Sequence, residues 1–344
     1  MKSLKLTRKK FFVINAILSL LLIVPFFPVN AITAFSESKH EEDHIHFVAF
    51  EASPRAQFSN NVALESIKCL EDLQLIMKQS NGMPACVKPA TYAILIERGW
   101  GVHVMPAYTP EDNNSEIFPI GDYEVTTSSV NYFENANGYI AQPDAEGSYP
   151  GIIMIQEIWG LNDNIKDMAE KLASHGYVVF AVDLYDGKVG ATSEETRALR
   201  SSFDQQYWNN NMNAAVAYLE ENFGTQSIGS IGWCFGGGQS LNLALNNDRI
   251  DATVIYYGQL VTDKEELSKI SWPVLGIFAG LDQGIPPEKV NEFKAALDEL
   301  EIQNEVHIYP DVNHAFANPS GDRYAPDAAK DAWKKTLAFF DANL

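Results

Sequence analysis

Ser230-Ile231-Gly232-Trp233-Cys234-Phe235-Gly236-Gly237-Gly238 is an apolar run that meets a cysteine flanked by glycines. It has the G-x-C-x-G form of a nucleophile elbow, the thiol counterpart of G-x-S-x-G. In such a turn a strand stops, the backbone reverses sharply and a helix starts, with the reactive atom at the corner. Gly232 and Gly236 leave room for the close backbone crossing. The helix N-terminus supplies N–H groups and partial positive charge, both of which favour a thiolate. Taken alone, Cys234 equally fits a small buried apolar side chain. Its surroundings decide.

Downstream, Pro273-Val274-Leu275-Gly276-Ile277-Phe278-Ala279 reads as a strand ending in Gly280-Leu281-Asp282. Val306-His307-Ile308-Tyr309 reads as another, leading into Pro310-Asp311-Val312-Asn313-His314. Nucleophile, acid and histidine in that order, each after a strand, is the chain order of α/β-hydrolases. Cys234 would attack, His314 would take and return the proton, and Asp282 would orient the imidazole. Singly, Asp282 fits a loop cap and His314 a packing histidine; Asp311 is a rival acid better suited to a turn. Upstream, Gly151-Ile152-Ile153-Met154-Ile155-Gln156 reads as a central parallel strand ending in Glu157-Ile158-Trp159-Gly160. The backbone N–H groups of Ile158 and Phe235 would form the oxyanion hole. Glu157 stands where its carboxylate could reach the thiol, or is simply a strand-end acid. Trp159, Tyr185, Trp233 and Tyr256 are candidate pocket walls, although aromatic residues also fill cores.

The pattern around these strands is α/β, predicting a mostly parallel sheet with helices on both faces. An antiparallel pair opens it, Val125 to Phe133 and Tyr139 to Gln142, turning around Asn135–Gly138. Helices are predicted over 164–174, 193–223 (broken near 207–211), after the elbow, over 287–300 and at the C-terminus. Strands are predicted over 177–182, 228–233, 252–257, 273–279 and 304–309.

Residues 123–344 resemble the dienelactone hydrolase family of α/β-hydrolases. The resemblance rests on Gln156-Glu157-Ile158-Trp159-Gly160, Val182-Asp183-Leu184-Tyr185, Gly232-Trp233-Cys234-Phe235-Gly236-Gly237, Tyr256-Tyr257-Gly258 and Pro310-Asp311-Val312-Asn313-His314-Ala315-Phe316, with Asn318-Pro319 and Trp333 beyond. It implies a Cys-His-Asp triad, help from Glu157 in deprotonating Cys234 when substrate arrives, and no metal or organic cofactor. Family members acting on dienelactone hold its carboxylate with two arginines. Here the matching places are Gly187 and Asn318, and the nearby Lys188 and Arg323 match neither. The resemblance therefore carries over the hydrolytic machinery and not the substrate. A thiolate forms a thioester that water must cleave, which favours esters and lactones with good leaving groups.

The chain has 344 residues, 46% of them hydrophobic and 20% charged. Residues 1–31 have the layout of a secretory signal. Lys2, Lys5, Arg8, Lys9 and Lys10 precede an almost wholly apolar stretch from Phe11 to Phe27, then Pro28-Val29-Asn30-Ala31. That core is short for a membrane span of about 20 residues. An uncleaved N-terminal anchor is the alternative, and would be the chain's only membrane contact. Formal charge is 25 − 45 = −20, or 20 − 45 = −25 without the five N-terminal cations. So acidic a body excludes nucleic acid as a partner; the expected partner is a small ester or lactone.

Residues 32–46 read as a polar linker, in which His40, His44 and His46 match no closed zinc pattern. Residues 47–105 read as a small module, with a short strand and turn over 47–56, a strand or short helix within 63–78, and a helix from Thr91 to Gly99. Residues 106–122 read as a second linker, with a glycosylation sequon at Asn113-Asn114-Ser115. The three cysteines, Cys69, Cys86 and Cys234, allow three single pairings. Pairing Cys69 with Cys86 staples the module and leaves Cys234 free; two buried free thiols are the alternative. The module resembles a short two-cysteine module of exported archaeal proteins, which implies location more than activity. The chain as a whole reads as a secreted carboxylic ester hydrolase. A thioesterase or acyltransferase of the same fold is the first alternative. A surface protein whose N-terminal module does the binding is the second.

Overall fold

Six parallel strands carry the proposed elbow and histidine loops at their C-terminal ends, within a mixed eight-stranded sheet. The structure is a computed structural model that describes residues 53–104 and 117–344, apart from 61, 63 and 71. The expected signal, the polar linker, the three histidines, the strand at 47–50 and the sequon lie outside the described residues.

The first described elements are α1 (Pro54–Ser59), β1 (Gln74–Lys78), β2 (Pro84–Val87), α2 (Pro89–Glu97) and β3 (Gly101–His103). The three strands form an antiparallel sheet of order β2-β1-β3. A disulfide joins Cys69 to Cys86. The turn expected at Pro54-Arg55 is instead the start of α1. Proline at the first helical position and the Ser53 side chain, which accepts from the Ala56 N–H, cap that helix. The small sheet and the large one belong to one compact unit, and a bridge joins Val104 to Thr192.

The large sheet opens with the antiparallel pair β4 (Val125–Phe133) and β5 (Ala136–Pro143). Its turn comes earlier than expected, at Glu134, which holds φ +42°. Then follow β6 (Gly151–Ile155), α3 (Asp163–Ala173), β7 (Val178–Ala181), α4 (Ser193–Ser201), α5 (Gln205–Phe223), β8 (Ile228–Trp233) and α6 (Phe235–Asn246). The rest are β9 (Ala252–Tyr256), a short α7 (Lys264–Leu267) not expected from sequence, β10 (Val274–Ala279), α8 (Pro287–Glu299), β11 (Asn304–Tyr309) and α9 (Pro326–Asn343). The long helical stretch breaks at 202–204 rather than 207–211. Asp204 ends the argument between the two halves by capping α5, its carboxylate accepting from the Tyr207 N–H at 2.8 Å.

The parallel strands are buried along their whole length from β6 through β10, as continuous apolar runs covered on both faces require. Trp208, Met212, Leu241 and Phe293 from α5, α6 and α8 pack on one face. Ile165, Leu172, Trp333 and Phe340 from α3 and α9 pack on the other. Phe118, near the end of the expected second linker, is fully buried and meets the Trp333 ring edge-on at 5.6 Å. Of that stretch, Ile117 and Phe118 belong to the core, whereas residues 106–116 lie outside the described residues. The sheet runs in the order β11-β10-β9-β8-β6-β7-β5-β4, which reverses at β6, between β7 and β8. Such a switch point opens a crevice at the strand C-termini.

Candidate active site

Cys234 sits at the corner between β8 and α6 with φ 54° and ψ −115°, a left-handed backbone that a side-chain-bearing residue adopts only under constraint. Its N–H donates to the Tyr256 carbonyl at 3.0 Å, and its carbonyl accepts from the Gly238 N–H at 3.2 Å. Glycine is required on both sides. A Cβ on Gly232 would stand 2.1 Å from the Gly236 carbonyl oxygen, and one on Gly236 would stand 2.3 Å from that of Ile155.

His314, on the loop after β11, places Nε2 3.0 Å from the Cys234 Sγ. Its Nδ1 lies 2.6 Å from Asp282 Oδ2, and Asp282 stands on the loop after β10. The other carboxylate oxygen, Oδ1, accepts from the N–H groups of Gly284 at 2.8 Å and Ile285 at 3.1 Å. Burial pushes the Asp282 carboxyl up, but the imidazole and these two N–H groups outweigh it and hold the group below the usual range. Burial likewise lowers the His314 imidazole, yet the hydrogen bonds to Asp282 and Cys234 prevail and raise it to about 10. The Tyr257 ring packs against the imidazole at 5.2 Å. Asp311 is exposed and takes no part.

Glu157, after β6, is buried. Its Oε2 accepts from Asn318 Nδ2, while Oε1 has no hydrogen-bond partner among the described residues. Burial lifts this carboxyl to about 7, against smaller opposing effects of His314 and Asn318. Asn318 is held at its other end too, Oδ1 accepting from the Ser320 N–H at 2.9 Å and Oγ at 2.7 Å. Gly187, the other place where the resemblance implies an arginine, has φ +77°. Its N–H donates to Asp183 Oδ2 at 2.6 Å. Neither place presents a cation.

A cleft of about 290 Å³ opens over the thiol, lined by Ile158, Cys234, Phe235, Tyr257 and His314 together with more polar residues. Phe235 is the first residue of α6, so its N–H has no partner within the helix. The aromatic walls expected from sequence are not walls. Tyr185 is fully buried and stacks behind Phe235 at 5.9 Å. Tyr256 is fully buried and shares a hydrogen bond with Thr336 at 2.7 Å. Trp233 packs on Tyr256 and lines a separate small cavity behind Glu157. Trp159 is half-buried on its loop and does not line the cleft. Apolar strand ends in this fold point into the core, which is why these rings were misplaced. The carboxamides that do line the cleft were missed, although their spacing along α6 was a usable signal. Among the described residues, no group of three or more His, Cys, Asp or Glu side chains is placed to hold a metal.

A model of the dienelactone hydrolase family matches residues 136–344. The chain belongs to this family. A Yersinia pestis protein assigned as a carboxymethylenebutenolidase is 30% identical over 218 residues, covering 59% of this chain and 82% of that one. The protein usf of Aquifex pyrophilus is 34% identical over 221 residues, covering 60% and 93%. A crystal structure assigned as a dienelactone hydrolase of Klebsiella pneumoniae superposes with TM-score 0.57 at 26% identity, covering 63% of this chain and 99% of that one. The dienelactone hydrolase-like promiscuous phosphotriesterase P91 from metagenomic libraries shares the fold with TM-score 0.58 at 22% identity, covering 63% and 98%. The protein is thus an ester or lactone hydrolase with the α/β-hydrolase fold.

Proposed function

We propose that this family member is an exported thiol hydrolase that cleaves its substrate through a thioester on Cys234. The observation that carries the reading is the continuous chain from Sγ to Nε2 at 3.0 Å and from Nδ1 to the Asp282 carboxylate at 2.6 Å. His314 takes the thiol proton, and the thiolate attacks the carbonyl carbon. The oxyanion is received by the N–H groups of Phe235 and Ile158. Collapse breaks the C–O bond, and His314 returns its proton to the leaving oxygen. Water, deprotonated in turn by His314, then cleaves the thioester and restores the thiol. Asp282 fixes the imidazole tautomer and stabilises its charged form.

Glu157 takes a second, auxiliary part. A carboxyl near 7 with one unpartnered oxygen exchanges a proton readily at neutral pH, so it assists deprotonation of Cys234 once substrate has displaced water. Export is supported by the N-terminal charge and hydropathy pattern and by the Cys69–Cys86 disulfide, a bond characteristic of oxidising compartments.

The test is hydrolysis of p-nitrophenyl esters and a simple lactone by the mature chain beside Cys234→Ala. Turnover that vanishes in the variant supports the thiol enzyme. A folded parent with a titratable thiol and no turnover would overturn it.

A further inference from the structure

Beyond the thiol and the imidazole, four of the ten other residues that line the cleft are carboxamides, set beside the apolar Ile158, Phe235, Tyr257 and Ile285. Gln205, Gln239, Asn242 and Gln259 line it, joined by Arg200, whose guanidinium lies over the Phe235 ring at 5.7 Å. Ile158 and Ile285 are the aliphatic side chains in the lining. Phe235, Gln239 and Asn242 follow one another at helical spacing on one face of α6, the helix that starts at the nucleophile. At 1.5 Å rise per residue, Gln239 and Asn242 stand about 7 and about 12 Å along the axis from Cys234. They form a row leading away from the bond to be cleaved.

Two of these side chains are set before any ligand binds. Gln205 Nε2 donates to Gln239 Oε1 at 2.7 Å, and Gln239 Nε2 donates back to Gln205 Oε1 at 3.0 Å. Gln239 is only 4% exposed. A long alkyl chain laid along this wall would strip water from the Asn242 carboxamide and give it nothing in return. A carboxylate would be drawn to Arg200, but that guanidinium already lies over the Phe235 ring, and a carboxylate has no proton to donate to a carboxamide oxygen. The chain's net charge of −20 also repels anions at a distance. A hydroxyl, which donates and accepts, matches a carboxamide on both counts.

Building on the hydrolase reading above, we propose that the substrate is a small, uncharged, polyhydroxylated lactone, whose hydroxyl groups are read by the carboxamides on α5 and α6. A lactone suits a thiol nucleophile better than an open-chain alkyl ester: the leaving oxygen is an alkoxide in both, but the ring holds the ester in its less stable conformation and so makes the carbonyl more reactive. Cleavage consumes one water, opens the ring to the hydroxy acid and releases one proton when that acid ionises.

The test is a pH-stat comparison of D-glucono-1,5-lactone with δ-valerolactone, the same ring without hydroxyls. Each rate is divided by its uncatalysed rate, and p-nitrophenyl hemisuccinate is run as an anionic ester. The expected kcat/KM favours gluconolactone at least tenfold. Asn242→Leu and Gln205→Leu should each shrink that preference about 5- to 10-fold through KM, the effect of one lost neutral hydrogen bond. Asn242→Asp, which keeps size but removes the donor, gives the same reading if the leucine variant does not fold. Preference for valerolactone, or a ratio untouched by these variants, would overturn the proposal. So would a preference for the hemisuccinate that disappears in Arg200→Gln. Cys234-dependent turnover of p-nitrophenyl acetate without turnover of gluconolactone would remove this inference and leave the thiol hydrolase standing. Turnover of neither would remove both.

Discussion

Replacing Glu157 by glutamine keeps the shape of the side chain and its hydrogen bond from Asn318, and deletes one titration. The carboxyl titrates at about 7 in the folded protein because burial penalises its charge, whereas in the unfolded chain it titrates near the ordinary value of ~4.3. Between those values the folded state holds a proton that the unfolded state has released. Stability therefore falls as pH rises through that window. Below it both states are protonated and the residue contributes no pH dependence. Above it the full cost is present, about 4 kcal/mol for a window of ~2.7 pH units at ~1.4 kcal/mol each. Urea unfolding of the parent and Glu157→Gln, followed by tryptophan fluorescence, would be run at pH 4.5, 6 and 8. The variant should gain about 3 kcal/mol on the parent between the lowest and highest pH. It should also hydrolyse esters more slowly, by about a hundredfold if Glu157 helps deprotonate the thiol. A stability difference that does not change with pH would refute the burial argument. An unchanged rate would refute the auxiliary role.

Two further perturbations bear on the site. Asp282→Asn should lower kcat by roughly 10⁴-fold with little change in KM, since the imidazole would be held in the wrong tautomer; steady-state kinetics on a p-nitrophenyl ester reads it. Gly232→Ala should abolish soluble expression or cost at least ~3 kcal/mol in thermal unfolding, because its Cβ would stand 2.1 Å from a backbone oxygen.

The parallel strands and the three proposed catalytic residues were legible because their signals are local. Continuous apolar runs mark buried strands, and a cysteine between glycines at a strand end marks a sharp turn. Spatial convergence of Cys234, Asp282 and His314 followed from their order after β8, β10 and β11. What escaped depended on which way a side chain faces. Tyr185 and Tyr256 look like pocket aromatics from their motifs, yet both are fully buried. Asn318 read as a missing arginine, whereas the structure ties it to Glu157. Asp204 was a helix cap hidden within a long helical pattern, and Phe118 was a core residue hidden in a stretch rich in proline and asparagine. Except for Asp204, whose partner Tyr207 is three residues on, each of these depends on a partner far away in sequence.

The most direct measurement is mass spectrometry of the intact protein, quenched in acid within milliseconds of mixing with p-nitrophenyl acetate. A transient gain of one acetyl group on the peptide bearing Cys234, absent from Cys234→Ala and prolonged in His314→Gln, is the expected result. Rapid turnover with no acyl adduct on that thiol, or an adduct that never discharges to water, would contradict catalysis through a thioester at the elbow.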